Sequence, residues 1–66
     1  MPYKYRAENM GALGFCADDG MIEEKLEVEG MMTLGARVVK VVLWGEIYEV
    51  RRDKHGDNVL HVRRVD

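Results

Sequence analysis

Apolar and polar residues alternate most clearly in the C-terminal half of the chain, from Ala36 to Val65. Three runs there are rich in β-branched, aliphatic and aromatic residues, at 36–44, 46–53 and 58–65. Residues of these types fit a pleated, half-buried surface. Short breaks that contain Gly45 and Gly56 separate the runs. The pattern therefore predicts three antiparallel strands joined as a meander.

The two breaks also predict how the strands pair. Gly45-Glu46 suits a two-residue type II′ turn, because a glycine in the first position accepts a positive φ. The segment 54–56 suits a three-residue loop with a G1 bulge, with Gly56 in the left-handed position. The first turn places Val41 opposite Val50, and the second places Val50 opposite Leu60.

Both turns place the same side chains on one face, and a one-residue slip in either hairpin would scatter them. The predicted core face consists of Val39, Val41, Leu43, Tyr48, Val50, Leu60 and Val62. The opposite face is mixed and consists of Val38, Lys40, Val42, Trp44, Ile47, Glu49, Arg51, Val59, His61 and Arg63. On that face we expect the Glu49 carboxylate to lie between Lys40, Arg51 and His61.

The first seventeen residues carry weaker patterns. The segment 3–7 alternates apolar and basic residues and predicts a short half-buried strand. The two glycines in 9–14 indicate a turn or loop. Leu13, Phe15 and Ala17 fit either another short strand or a plug in the core. The segment 18–20, Asp-Asp-Gly, is a strong turn signal.

Residues 21–30 fit two structures. A strand over 24–32 would turn Leu26 and Val28 inward, and we favour it because apolar and acidic residues alternate locally. The sheet would then curl into a small, partly open β-barrel with the N-terminal strands. In the alternative, a helix at 20–29 is capped by Asp19, ends before Gly30 and packs on the sheet in an α+β fold.

Length and composition limit the class of protein. Sixty-six residues form a single small domain over 1–66, and domains of this size bury only about 60% of their unfolded surface. One cysteine and two histidines supply neither an internal disulfide nor a structural zinc site. Self-association is the remaining common way to stabilise so small a core. The lone cysteine, the absence of a signal-like apolar run and the lack of a 20-residue apolar stretch predict a soluble cytoplasmic protein.

The net charge of −2 hides an asymmetry between the halves of the chain. Residues 1–33 hold three basic and seven acidic residues, whereas residues 34–66 hold seven basic and five acidic residues. Either the two halves attract each other within the fold, or a basic sheet edge binds an anion.

No residues form a recognisable catalytic constellation. Cys16 has no histidine near it in sequence, and its neighbours Asp18 and Asp19 would raise the pKa of its thiol. Two pairs of adjacent acids, Asp18-Asp19 and Glu23-Glu24, could be read as catalytic carboxylates, but so short a chain has little room for the cleft that such a pair needs. We therefore expect no enzymatic activity, no cofactor and no metal site.

The mixed face offers the best candidate binding residues. Val42, Trp44 and Ile47 would anchor a protein partner or a second copy, with Lys40, Arg51, His61 and Arg63 around them. In a competing interpretation, residues 1–17 cover Trp44 and close the barrel. The alternative function is nucleic-acid binding through the basic and aromatic residues, which the position of Tyr48 on the predicted core face weakens.

Overall fold

The computed structural model describes residues 3–17, 22–55 and 58–65. Strand β1 (Lys4–Ala7) precedes a 3-10 helix (Met10–Ala12) and the short helix α1 (Leu13–Ala17). Helix α2 (Ile22–Thr33) leads into strands β2 (Val38–Leu43), β3 (Glu46–Arg52) and β4 (Val59–Val65). The strands form one mixed sheet in the order β1-β4-β3-β2, in which β1 is parallel to β4 and the other pairs are antiparallel.

The predicted meander is confirmed, and the strand predicted near the N-terminus is also present. The sheet is open, with β1 and β2 at its two edges, so the described part of the chain does not close into the expected barrel. Across the described residues the fold is mostly β with two short α-helices. Neither α-helix in the described ranges has the length and apolar character needed to cross a bilayer.

The turn between β2 and β3 differs from the prediction. Trp44 and Gly45 occupy it with φ angles of 54° and 75°, and positive φ at both central residues is the mark of a type I′ turn. Val41 consequently lies opposite Tyr48 rather than Val50. A glycine with positive φ is used in both turn types, so Gly45 alone does not distinguish them.

The pairing of β3 with β4 is also displaced by two residues. Val50 lies opposite Val62 rather than Leu60. The predicted bulge at Gly56 lies outside the described residues. Because side chains alternate with a period of two, a displacement of two residues leaves the side chains within the strands on their predicted faces.

Helix α2 replaces the strand predicted over 24–32, so that prediction is wrong and the helical alternative is the correct kind of element. The helix extends past Gly30 and ends where Gly35 adopts a φ of 104°. The amide of Gly35 donates to the carbonyl of Met32, and the amide of Ala36 donates to that of Met31, both at 3.0 Å. These two hydrogen bonds form a Schellman motif. The predicted cap at Asp19 lies outside the described residues.

The core lies between one face of the sheet and the helices. Its buried members are Ala12, Phe15, Val28, Met32, Val41, Tyr48, Val50, Leu60 and Val62, with Val39 and Leu43 packed against them. The predicted core face is therefore confirmed. The segment 10–17 is helical rather than looped or extended, and Phe15 fills the core, with its ring centroid 5.4 Å from that of Tyr48.

Polar contacts tie the helices to the sheet. The Tyr5 hydroxyl donates to the Glu29 carboxylate, which joins β1 to α2. Burial, followed by this carboxylate, raises the pKa of Tyr5. The ammonium of Lys25 donates to the Cys16 carbonyl at 3.2 Å and lies 4.9 Å from the centre of the Tyr5 ring. The Arg52 guanidinium donates to the carbonyl of Met32 at the end of α2.

Candidate functional site

The second face of the sheet has no helix over it among residues 3–17, 22–55 and 58–65, and we call it the open face. Its side chains come from alternate positions of the four strands: Lys4, Arg6, Val38, Lys40, Val42, Ile47, Glu49, Arg51, Val59, His61, Arg63 and Val65. All of them except Glu49 are exposed or half-buried. The open face therefore presents these side chains to solvent.

An apolar row crosses three strands at one end of the open face. Ile47 on β3 lies opposite Val42 on one side and Val65 on the other. Val42 is 73% exposed, and Ile47 is also exposed. Two of the three predicted apolar anchors therefore lie side by side with their methyl groups open to solvent.

A charged row runs beside the apolar row. Lys40 lies opposite Glu49, and Glu49 lies opposite Arg63. Glu49 is only 6% exposed, and its carboxylate accepts hydrogen bonds from Arg51 at 3.0 Å and from Arg63 at 3.3 Å. These hydrogen bonds, that of Arg51 foremost, lower the pKa of Glu49. Both guanidinium groups are themselves more than half exposed, so the solvent meets the cations and not the carboxylate.

His61 does not partner Glu49, and that part of the prediction is wrong. The displaced register puts Arg63 opposite Glu49 and puts His61 opposite Arg51. The two ring nitrogens of His61 instead contact Glu8 at 2.9 Å and Asp53 at 2.7 Å. The hydrogen bond to Asp53, with a smaller contribution from Glu8, raises the pKa of His61.

The His61 cluster joins the ends of β1 and β3 to β4. Each of its two ring nitrogens is hydrogen-bonded to a carboxylate, Nδ1 to that of Glu8 and Nε2 to that of Asp53. The two carboxylates contact different nitrogens of the His61 ring. The three groups therefore do not point at one common position that a metal ion could occupy. Within the described ranges, no group of three or more His, Cys, Asp and Glu residues could hold a metal ion. Cys16 is half-buried, and burial raises the pKa of its thiol, although Lys25 opposes that shift.

Trp44 lies apart from the other two predicted anchors. It occupies the turn after β2 and is 61% exposed. A Cβ atom placed on Gly14 would lie 3.9 Å from the Cζ3 atom of Trp44. Because Gly14 belongs to α1, the indole is directed towards the helical layer and not along the apolar row. The structure therefore brings together Val42, Ile47, Lys40, Arg51 and Arg63 on the open face, with His61 opposite Arg51 and Trp44 apart from them.

Two sets of surface residues were not predicted from the sequence. Lys4 and Arg6 extend the charged part of the open face, because β1 adds to β4 in parallel. Their alternation with Tyr3 and Tyr5 was the available signal, but it did not indicate which strand β1 joins. The second set, exposed apolar residues of α2, was missed because that segment was predicted to be a strand.

No protein-family model, curated protein or solved structure matches this chain. The geometry of the surface is therefore the basis for assigning it a function.

Proposed function

We propose that this chain is a non-catalytic protein-interaction module whose docking surface is the open face. The observation that supports this proposal is the apolar row in which Val42 and Ile47 are exposed and Val65 is half-buried, beside exposed cations. The apolar face of a sheet is normally buried against another layer of structure. An exposed apolar patch with a polar rim usually marks a site of protein contact.

The chemistry of the open face also indicates the chemistry of the partner. Lys40, Arg51 and Arg63 offer their charges to solvent, whereas Glu49 is covered by the two arginines. A segment that carries both apolar and acidic side chains matches this arrangement. Charge complementarity of this kind mainly raises the association rate and excludes wrong partners.

Nucleic-acid binding fits the open face less well. Single-stranded nucleic acids are held by aromatic rings on which bases stack, in addition to cations. Tyr48 is buried in the core, Tyr3 and Tyr5 pack against the core, and Trp44 is directed towards the helical layer. The described residues of the open face thus include cations but no aromatic ring. Their attraction to phosphate would be general and strongly dependent on salt.

An NMR titration with designed peptides tests the proposal. Two helical peptides with the same apolar residues are compared, one with glutamates and one with lysines between them. We expect the acidic peptide to shift the backbone amides around Val42 and Ile47, and the basic peptide to shift none of them. The variant Val42→Asp/Ile47→Asp should lose the response. The matched control, Leu13→Asp, replaces an exposed apolar residue of α1 and should retain it.

The same titration has outcomes that would refute the proposal. Equal responses to both peptides, or no response at millimolar concentration, would show that the open face does not recognise an acidic apolar segment. A single-stranded oligonucleotide is added in a parallel titration at low salt. Shifts on the open face with the oligonucleotide alone would favour the nucleic-acid function instead.

A further inference from the structure

The outward side of α2 is a second exposed apolar surface, which we call the outer stripe. It consists of Glu23, Leu26, Glu27, Gly30, Met31 and Leu34. Residues four apart lie above one another on a helix, so Leu26, Gly30 and Leu34 form one row and Glu23, Glu27 and Met31 form the next. Leu26 is 64% exposed and Leu34 is 85% exposed. The Leu34 amide still donates to the Gly30 carbonyl at 3.1 Å, which keeps Leu34 in line with the helix.

The outer stripe is acidic where the open face is basic. Glu23 and Glu27 are exposed, and Lys25, the basic residue of this helix, lies on the inner side against the Tyr5 ring. Gly30 has no side chain and therefore leaves a flat position in the middle of the stripe. Nothing lies within 4 Å of where its Cβ would be, so this position is open. The outer stripe thus combines apolar and acidic groups, which are complementary to the apolar and basic groups of the open face.

We propose that the outer stripe of one copy of this chain binds the open face of a second copy. The proposal rests on the proposed function and names its partner. Pairing two open faces would gather Lys40, Arg51 and Arg63 of both copies at one interface, where the described open face offers no exposed acid to match them. Pairing two outer stripes would likewise bring acids against acids, and juxtaposed like charges are costly. Of these three pairings, the heterologous one matches both apolar with apolar and acid with base.

The placement of the two surfaces determines the kind of assembly. Helix α2 packs on the sheet through Val28 and Met32, so its outer stripe lies on the opposite side of the molecule from the open face. Each copy therefore offers both surfaces at once. A heterologous interface of this sort builds a ring or an open filament and not a closed two-fold dimer. In the assembly, every sheet would have a helical layer on both faces, as in stable layered folds.

Complementation between two disabled variants tests the proposal. The first variant, Val42→Asp/Ile47→Asp, loses the open face and keeps the outer stripe. The second variant, Leu26→Lys/Glu27→Lys, loses the outer stripe and keeps the open face. We expect each variant alone to be monomeric in sedimentation velocity, with self-association weakened about tenfold or more, as for loss of an interface hot spot. An equimolar mixture should form a 1:1 dimer that grows no further, because each partner retains one working surface.

Controls separate folding and charge from the interface itself. The exposed-residue control Leu13→Asp should associate as the wild type does, and circular dichroism should show that all variants are folded. If the aspartates unfold the sheet, Val42→Thr/Ile47→Thr removes the apolar contact while keeping β-branched side chains. Wild-type association should weaken as sodium chloride rises, because exposed opposite charges are screened.

Two results would overturn the proposal. A wild type that stays monomeric at millimolar concentration would exclude self-recognition, even where the acidic peptide still binds the open face and supports the proposed function. A wild type that associates while the mixed variants stay monomeric would indicate a two-fold interface or a different surface. The peptide titration and the complementation experiment can therefore fail independently of each other.

Discussion

The glycines in and after α2 give the sharpest prediction about stability. Gly30 lies inside the helix, and a Cβ there would meet nothing within 4 Å. Alanine is favoured over glycine at exposed helix-interior positions by about 0.8–1.0 kcal/mol. We therefore expect Gly30→Ala to stabilise the protein by about 1 kcal/mol, which for a domain of this size raises Tm by about 4–8 °C.

Gly35 is the matched control with the opposite sign. It also has open space around its Cβ position, but its φ is 104°. An L-residue in a left-handed conformation costs roughly 1–2 kcal/mol, so Gly35→Ala should lower Tm although it creates no clash. The two variants make the same chemical change five residues apart and should differ by about 2 kcal/mol or more in stability.

Thermal unfolding followed by far-ultraviolet circular dichroism measures both variants. The protein should be at low micromolar concentration, because association would add a concentration-dependent term to Tm. A lower Tm for Gly30→Ala would mean that Gly30 itself ends the helix, as the sequence alternative supposes. An unchanged Tm for Gly35→Ala would mean that Gly35 does not adopt the left-handed conformation that the Schellman motif requires.

Three further predictions concern the core and the titrating groups. Phe15→Ala should cost about 3–5 kcal/mol and leave little folded protein, whereas Leu13→Ala on the same helix should change stability by less than about 0.5 kcal/mol in urea unfolding. The NMR titration midpoint of His61 should lie above the usual value of about 6.5 and fall in Asp53→Asn, because the hydrogen bond to Asp53 is the main cause of the raised pKa. The stability from this raised pKa is fully present below about pH 6.5 and is lost as pH rises through the folded pKa, so His61→Gln should cost most at low pH and least at high pH. Cys16 should react with iodoacetamide more slowly in the folded protein at pH 8 than in urea, since burial raises the pKa of its thiol.

The assignment of side chains to faces was predictable because it depends only on a period of two. Both hairpin registers were displaced by two residues, yet Val41, Tyr48, Val50 and Val62 still share the core. The identity of the residue opposite Glu49 does not follow from the period of two and was not predicted correctly. A two-residue displacement exchanges neighbours along one face, so Arg63 took the place expected for His61.

The identity of α2 was harder to predict because its exposed side is apolar. Leu26 and Leu34 face solvent, so apolar residues occur around the helix and the 3.6-residue period is blurred. The local alternation of Leu26 and Val28 then resembles a strand. Residues that obscure the folding signal in this way are candidates for a functional surface, since an exposed leucine gains nothing from folding.

The composition of the open face was only partly predictable. Val42 and Ile47 are neighbours for local reasons, because one short turn joins their strands. Lys4 and Arg6 reach the same face through a parallel pairing between residues more than fifty apart, which no turn signal specifies. Trp44 occupies a turn position with a positive φ. Bulky residues rarely adopt this conformation, so the sequence did not indicate that Trp44 belongs to the turn.

The central claim is that the core face of the sheet is buried and that the open face is exposed and available for binding. Methyl NMR with a soluble paramagnetic probe tests this claim most directly. In dilute protein, the methyl signals of Val42 and Ile47 should broaden strongly, and those of Val50 and Val62 should not. On concentration, Val42 and Ile47 should become protected together with Leu26 and Leu34. Protection of Val42 and Ile47 at the lowest concentration would contradict the claim, because it would mean that the chain covers its own open face.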